Sequence, residues 1–315
     1  MIVCGGENLV DVIEMHAEDG GRMFRAVAGG SPYNCTRALG RLGLAVGYLT
    51  PISSDRFGDD LLSGLVADQV HHLGQRPDAP TSLAMVTVEN GQPDYRFYRN
   101  GTAERMVTSQ SLQAAMPDDV RAFHIGSLAL CEGGDAQAWE DLFMDCAARG
   151  VFTSFDPNIR PLLAEQDAAT YRARLDKMAA AANLLRLSDE DLNWWRPDQP
   201  LADALAELVA IAPDALVVLT QGAAPVICHW PGGRLEIALS PVTGLVDTVG
   251  AGDTLMAALI AGLHRHDAMG QGQIATLQPQ TLRQIIADAS KAAAITCTRT
   301  GCNPPYAREI WPEQP

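Results

Sequence analysis

The sequence predicts an α/β protein, with a mostly parallel central sheet, helices on both of its faces and a small β-sheet projecting as a lid. Three observations carry this reading. Short apolar runs ending in polar or glycine residues recur along the 315 residues, helical segments alternate with them, and two hairpin-like stretches break the rhythm. IVCGG near the start, then AVGYLTPIS, FHIGSLAL, VFTSFDPN, LLRLS and ALVVLTQG read as buried strands. Between them SPYNCTRALGRLG, AQAWEDLFMDCAARG, AATYRARLDKMAAAAN and LADALAELVAIA read as helices, so the chain is built of βαβ units. The first helix is punctuated by Ser31 as N-cap, Pro32 at its first position and Gly43 just past its end. Residues 12–28 and 81–108 look like hairpins, the second turning at Asn90-Gly91, and neither carries enough apolar residues for a core of its own. They are expected to form one lid sheet inserted in a core of residues 1–11, 29–80 and 109–315. A third hairpin, PVICHWPGGRLEIAL, should extend the main sheet antiparallel.

The bulk composition narrows the function. A formal net charge of -15 argues against a nucleic-acid or anionic-membrane partner, which would demand a basic face. The first residues, MIVCGGENLVDVIEM, do not read as a secretory signal, and no run reaches the length of a membrane span. The seven cysteines lack a C-x-x-C pair and read as reduced thiols of a cytoplasmic protein. His124 and the tryptophans Trp139, Trp194 and Trp195 read as packing residues.

The most informative stretch is TGLVDTVGAGDTLMAALIAGL, residues 243–263. It is no lysine-bearing phosphate loop, because neither Lys177 nor Lys291 follows a glycine. It is no dinucleotide fingerprint, because Leu255 stands where the third glycine belongs, which removes a nicotinamide oxidoreductase. What remains is a helix start whose N–H groups at Gly250, Ala251 and Gly252 can bind an anion, with Asp253 in the first turn. Asp253 either caps its helix or takes a proton from a hydroxyl that attacks a phosphoryl group held beside it. On the second reading, the helix dipole would keep the aspartate ionised.

These residues resemble the C-terminal signature of ribokinase-like sugar kinases, and the similarity runs across nearly the whole chain. GENLVD followed by AGGSPYNCTRALGRLG is similar to the family's sugar-binding half, DPNIRP to its DPNxR segment and SDED to its magnesium-linked motif. TQG is similar to the start of its nucleotide motif, and ASKAAAITCTRTGCNPP to the helix and loop beside the purine. The family's NxxE is here Ser188-Asp189-Glu190-Asp191, and Pro225 replaces a second glycine of the nucleotide motif.

The resemblance implies a ribokinase-like three-layer α/β/α fold and an ATP-dependent sugar kinase that phosphorylates a primary hydroxyl. It implies Asp253 as catalytic base, with Gly250, Ala251 and Gly252 as the anion hole. It implies sugar contacts from Asp11, Gly29, Gly30, Asn34 and Arg99, positive charge from Arg160 near the sugar or the phosphates, and nucleotide contacts from Thr220, Gly222, Ser188 and Gly301. ATP would enter with Mg²⁺, linked to Asp191 or Glu190, and Asp247 would face a monovalent cation such as K⁺. RFYRNGTAERM resembles the lid segment of fructokinases and 2-keto-3-deoxygluconate kinases, and the GTA after Tyr98-Arg99 is more similar to fructokinases, which favours D-fructose as acceptor. A 2-keto-3-deoxygluconate kinase is the alternative, since an acidic sugar could recruit Arg96, Arg99 or Arg105. A sugar-binding sensor without catalysis is the alternative from another class. An apolar face on the lid would suit a homodimer.

Overall fold

Every apolar run singled out above forms a strand of one sheet. The computed structural model describes residues 1–16, 21–89, 92–239 and 242–312; the Asn90-Gly91 turn lies outside the described residues. The parallel strands are β1 (Ile2–Cys4), β4 (Val46–Tyr48), β5 (His71–His72), β8 (Ala122–Gly126), β9 (Phe152–Asp156), β10 (Leu184–Ser188) and β11 (Leu216–Thr220). The hairpin β12 (Val226–Trp230) and β13 (Gly233–Ile237) adds antiparallel, as the sequence predicts. The order is β13-β12-β11-β10-β9-β8-β1-β4-β5. The chain winds outward from β1 through β4 and β5, then restarts at β8 on the other side of β1. Strand order therefore reverses beside β1, and a crevice opens there at the carboxyl ends of the strands.

The helices are α1 (Ser31–Arg41), α2 (Arg56–Ala67), α3 (Ser109–Ala115), α4 (Gly133–Ala148), α5 (Pro161–Ala164), α6 (Ala168–Ala180), α7 (Asp189–Trp195), α8 (Leu201–Ile211), α9 (Ala251–Arg265), α10 (Gln273–Thr276), α11 (Pro279–Cys297) and α12 (Ala307–Ile310). They form two layers because successive strand residues face opposite ways. Ile2, Cys4, Leu216 and Val218 join the core under α1, α9 and α11, while Val3, Val217 and Leu219 join the core under α4, α6 and α8. The second core is anchored by Trp139 and Trp195, each 1% exposed, around a Phe123–Phe143–Phe155 chain of ring contacts. His124 is buried beside the Ser154 hydroxyl, and burial pushes its pKa down to about 4, so it is a neutral core imidazole. Among the described residues no helix is long and apolar enough to cross a membrane. All seven cysteines are free.

The two irregular stretches form a second sheet, β2 (Leu9–His16), β3 (Arg22–Gly29), β6 (Ser82–Glu89) and β7 (Gln92–Tyr98), in the order β3-β2-β6-β7. The hairpins join through a parallel β2–β6 pairing that sets Asp11 opposite Ala84. The boundaries differ from the expected ones. The lid begins at Leu9, so Asp11 rides on a lid strand rather than ending a core strand, and after Tyr98 the chain turns back to the core in a short 3₁₀ turn, Ala103–Arg105.

Candidate functional site

The first turn of α1 is built by a glycine that only glycine can be. Gly30 has φ +105°, and a Cβ there would stand 2.6 Å from the Glu7 carbonyl oxygen. The helix starts at Ser31 itself, not after it, which corrects the expected N-cap. Glu7 takes over the capping, its Oε1 accepting from the Ser31 N–H at 2.9 Å. The Ser31 hydroxyl, released from that task, donates across the crevice to Asp253 Oδ1 at 2.6 Å. Asn34, one turn later, donates from Nδ2 to Asp253 Oδ2 at 2.9 Å. Its own Oδ1 is buried without a partner among the described residues.

Asp253 stands in the first turn of α9, entered through Gly250 at φ +76°. Burial pushes its carboxyl above the usual range, against hydrogen bonds from Ser31 and Asn34 and the charges of Arg160 and Arg186. Desolvation, the largest influence on its pKa, thus acts against the helix dipole that is expected to favour the ionised form. The expected N–H triplet also changes. Ala251 turns its N–H to the Thr248 carbonyl at 3.2 Å, while those of Gly252 and Asp253 lie in the first turn, beyond reach of the helix's own carbonyls.

The sugar-side residues of the sequence reading collect beside this carboxylate. Asp11 is drawn up to a pKa of about 6 by burial, against the Arg160 charge and with the Asp253 charge. A Cβ on Gly29 would meet Asp11 Oδ2 at 2.3 Å, so Gly29 is the gap into which that carboxylate fits. In the DPN turn, Asp156 Oδ1 accepts from the Asn158 N–H at 3.1 Å, Asn158 sits at φ +36°, and its Oδ1 fixes Arg160 Nη1 at 2.6 Å. Arg99 behaves otherwise. It is 5% exposed, ion-paired with Glu104 at 2.9 Å and bonded to the Leu128 carbonyl, and it lines a second cavity with Tyr98 and Arg105 rather than this one. Its charge is spent on a buried carboxylate, which takes it away from the expected sugar contact.

Asp247, expected at a monovalent cation, pins two loops together, Oδ1 accepting from the Val249 N–H at 3.0 Å and Oδ2 from the Gly301 N–H at 2.8 Å. Ser188 and Asp191 form the capping box of α7, and Asp191 Oδ1 also accepts from the Ile159 N–H at 2.6 Å. Asp191 is thus a brace between the SDED and DPN turns that also lines the cavity, whereas Glu190 is exposed outside it. Among the described residues no cluster of three His, Cys, Asp or Glu side chains could hold a metal. Thr220 accepts from Arg186 Nη2 at 2.7 Å, and Gly222 makes a left-handed turn in open space.

One cavity of about 630 Å³ gathers most of these groups. It is lined by Asp11, Gly30, Asn34 and Arg160, by Gly250, Gly252 and Asp253, by Asp247 and Gly301, and by Ile13, Val86 and Phe97 of the lid. Sequence reasoning missed Glu7, Arg186 and Cys302, which also line it. Glu7, driven by burial to a pKa of about 7, was hidden in a plain GEN segment. Arg186 did leave a signal, as the single charge in the apolar run LLRLS. Chemically, the cavity offers a carboxylate beside an anion-binding helix start, next to polar groups suited to hydroxyls.

Known proteins resemble this chain in sequence and fold. The family profile described as pfkB family carbohydrate kinase matches residues 1–309. A fructokinase of Rhizobium leguminosarum bv. trifolii is 37% identical over 287 residues, covering 90% of this chain and 86% of its own. A crystal structure of a fructokinase with bound ATP from Xylella fastidiosa superposes with a TM-score of 0.88 at 26% identity, covering 98% of this chain and 96% of its own. A putative ribokinase II from E. coli, at 23% identity and a TM-score of 0.79 over 96% of this chain and 94% of its own, shares the fold.

Proposed function

The chain belongs to the pfkB family of carbohydrate kinases, ATP-dependent enzymes of ribokinase-like fold, and on that premise we propose that it phosphorylates D-fructose at its primary 6-hydroxyl. The observation that carries the reading is the Asp253 carboxylate, held by Ser31 and Asn34 at the start of α9 inside a lidded cavity. The sugar lies between Asp11, Asn34 and Arg160, with its reacting hydroxyl at Asp253. ATP extends from Gly252 towards Gly301, Thr220 and Gly222. As the sugar oxygen bonds to the γ-phosphorus, its proton passes to Asp253 and the bond from that phosphorus to the β-bridging oxygen breaks, leaving ADP. The N–H groups of the first turn of α9 meet the charge on the phosphoryl oxygens in flight.

Mg²⁺ would neutralise phosphate charge, and the lack of a three-ligand cluster among the described residues fits an ion carried chiefly by ATP and water. K⁺ would sit against Asp247 and add positive charge behind the anion site. Fructose is favoured over 2-keto-3-deoxygluconate because Arg99 and Arg105, which an acidic sugar could use, are tied to Glu104 and Asp135. The acidic sugar keeps a second place because Arg25 and Arg160 both line the cavity. The free thiols suit a cytoplasmic enzyme. Exposed Met15 and Met23, cross-strand partners on the lid, and Phe24 beside them suit pairing with a second copy.

A panel of sugars with ATP and Mg²⁺, read by ADP release, tests the reading. Fructose should be the best acceptor; turnover of 2-keto-3-deoxygluconate with fructose inert replaces the substrate, and no turnover with any sugar leaves the non-catalytic sensor.

A further inference from the structure

Arg186 is a charge whose contacts extend beyond the buried carboxylate it neutralises. It projects from the middle of β10, largely buried, and its fork divides between Asp156 Oδ2 at 2.8 Å from Nη1 and Thr220 Oγ1 at 2.7 Å from Nη2. Its Nε is buried with no partner among the described residues, an uncommon state for a donor in a native structure. The guanidinium also packs on the α-carbon of Gly252, where an added Cβ would stand 2.9 Å from Nη1. The glycine that reads from sequence as room for a ligand is therefore also room for an arginine.

A cation at the N-terminus of a helix opposes the helix dipole instead of completing it. The cost makes sense only if something negative is to lie in the field that the two share. Neutralising Asp156 does not by itself require the fork to reach across to Thr220 and Gly252, which belong to the nucleotide turn and the anion-binding turn.

We propose that Arg186 is a positioning residue for phosphoryl transfer: it ties the DPN turn, the TQG turn and the first turn of α9 together and brings positive charge beneath the anion site. This rests on the kinase reading above. The loop without a lysine thus has its cation delivered from beneath, by a strand neighbouring in space rather than in sequence. Arg186 also favours the ionised form of Asp253, so it acts on both partners of the transfer.

The test separates charge for the phosphoryl group from charge for Asp156. Arg186→Met alone would strand a buried carboxylate and could fail to fold, so the informative protein is the double variant Arg186→Met/Asp156→Asn, which removes both charges together. It should bind sugar with an affinity within about threefold of wild type, yet turn over roughly 10²–10³-fold more slowly, the loss typical of removing one group from an anion hole. Binding of MgADP with aluminium fluoride and sugar, which mimics the phosphoryl group in flight, should weaken by a similar factor while ADP alone binds as before. Arg186→Lys, which keeps the charge and loses the fork, should retain more activity than the double variant. A folded double variant with wild-type kcat overturns the inference, as does an Arg186→Lys protein no better than the neutral one. A wild-type protein inert towards every sugar overturns the kinase reading instead, and is recognised before any variant is made.

Discussion

Asp253→Asn separates the two roles that a carboxylate in the first turn of a helix can have. Its two hydrogen bonds, at 2.6 Å from Ser31 and 2.9 Å from Asn34, survive the change. Ser31 still donates to the side-chain oxygen, and Asn34 can turn its amide so that its buried, unpartnered Oδ1 accepts from the new amide. The sign of the stability change follows from the raised pKa. The folded wild type holds its proton more tightly than the unfolded chain does. It therefore loses stability as pH rises from the ordinary aspartate value through the folded one, and remains lower above it. The amide carries no such loss, so at pH 7 the variant should melt no lower than wild type, with the difference closing towards pH 4. Turnover should fall by about 10²–10⁴, equivalent to about 3–5 kcal/mol of barrier, because the neutral amide cannot take the hydroxyl proton. Scanning calorimetry at pH 4 and 7, sugar titration and a coupled ADP assay give the three readings. A kcat within tenfold of wild type removes Asp253 as the base, and a lower melting temperature with turnover intact makes it a helix cap.

Ser31→Ala removes a hydrogen bond that lowers the Asp253 pKa, so the acid limb of the pH–rate profile should move to higher pH; an unmoved limb, or one displaced downward, refutes the pairing. Gly30→Ala must hold φ +105° with a Cβ 2.6 Å from a carbonyl oxygen, and should destabilise by at least the roughly 1–3 kcal/mol of a strained residue, seen in urea unfolding. Arg99→Met leaves Glu104 buried and unpaired, and should cost about 3–5 kcal/mol of stability while the sugar KM changes little. A raised KM at unchanged stability would return Arg99 to the sugar. Phe24→Glu should shift a dimer to monomer in sedimentation without changing kcat per chain, if the lid is where two copies meet.

The architecture was legible because its signals are local. An apolar run such as ALVVLTQG admits one reading whatever lies around it, and the third hairpin announces its turn in Gly232-Gly233. The site was legible where it rests on backbone, as with GAGD and Gly30, since glycine at a helix start has few alternatives. What escaped depends on partners far apart in the chain. Glu7 caps a helix 24 residues away, and nothing in a GEN segment says which N–H it will meet. Arg99 and Arg186 look alike in sequence, and only packing decides that one is consumed by Glu104 while the other reaches Gly252. Ser31 fits the N-cap rule so well that its true partner, 222 residues on, could not be guessed.

Asp11 stands on β2, inside the lid, whereas Asp253 and the anion-binding turn belong to the core. On the proposed reading, acceptor recognition is therefore shared between the lid, through Asp11, and the core, through Asn34 and Arg160. On that reading, substitutions in the two hairpins would reshape the wall of the cavity that carries Asp11, Ile13, Val86 and Phe97 while leaving the Asp253 turn as it is.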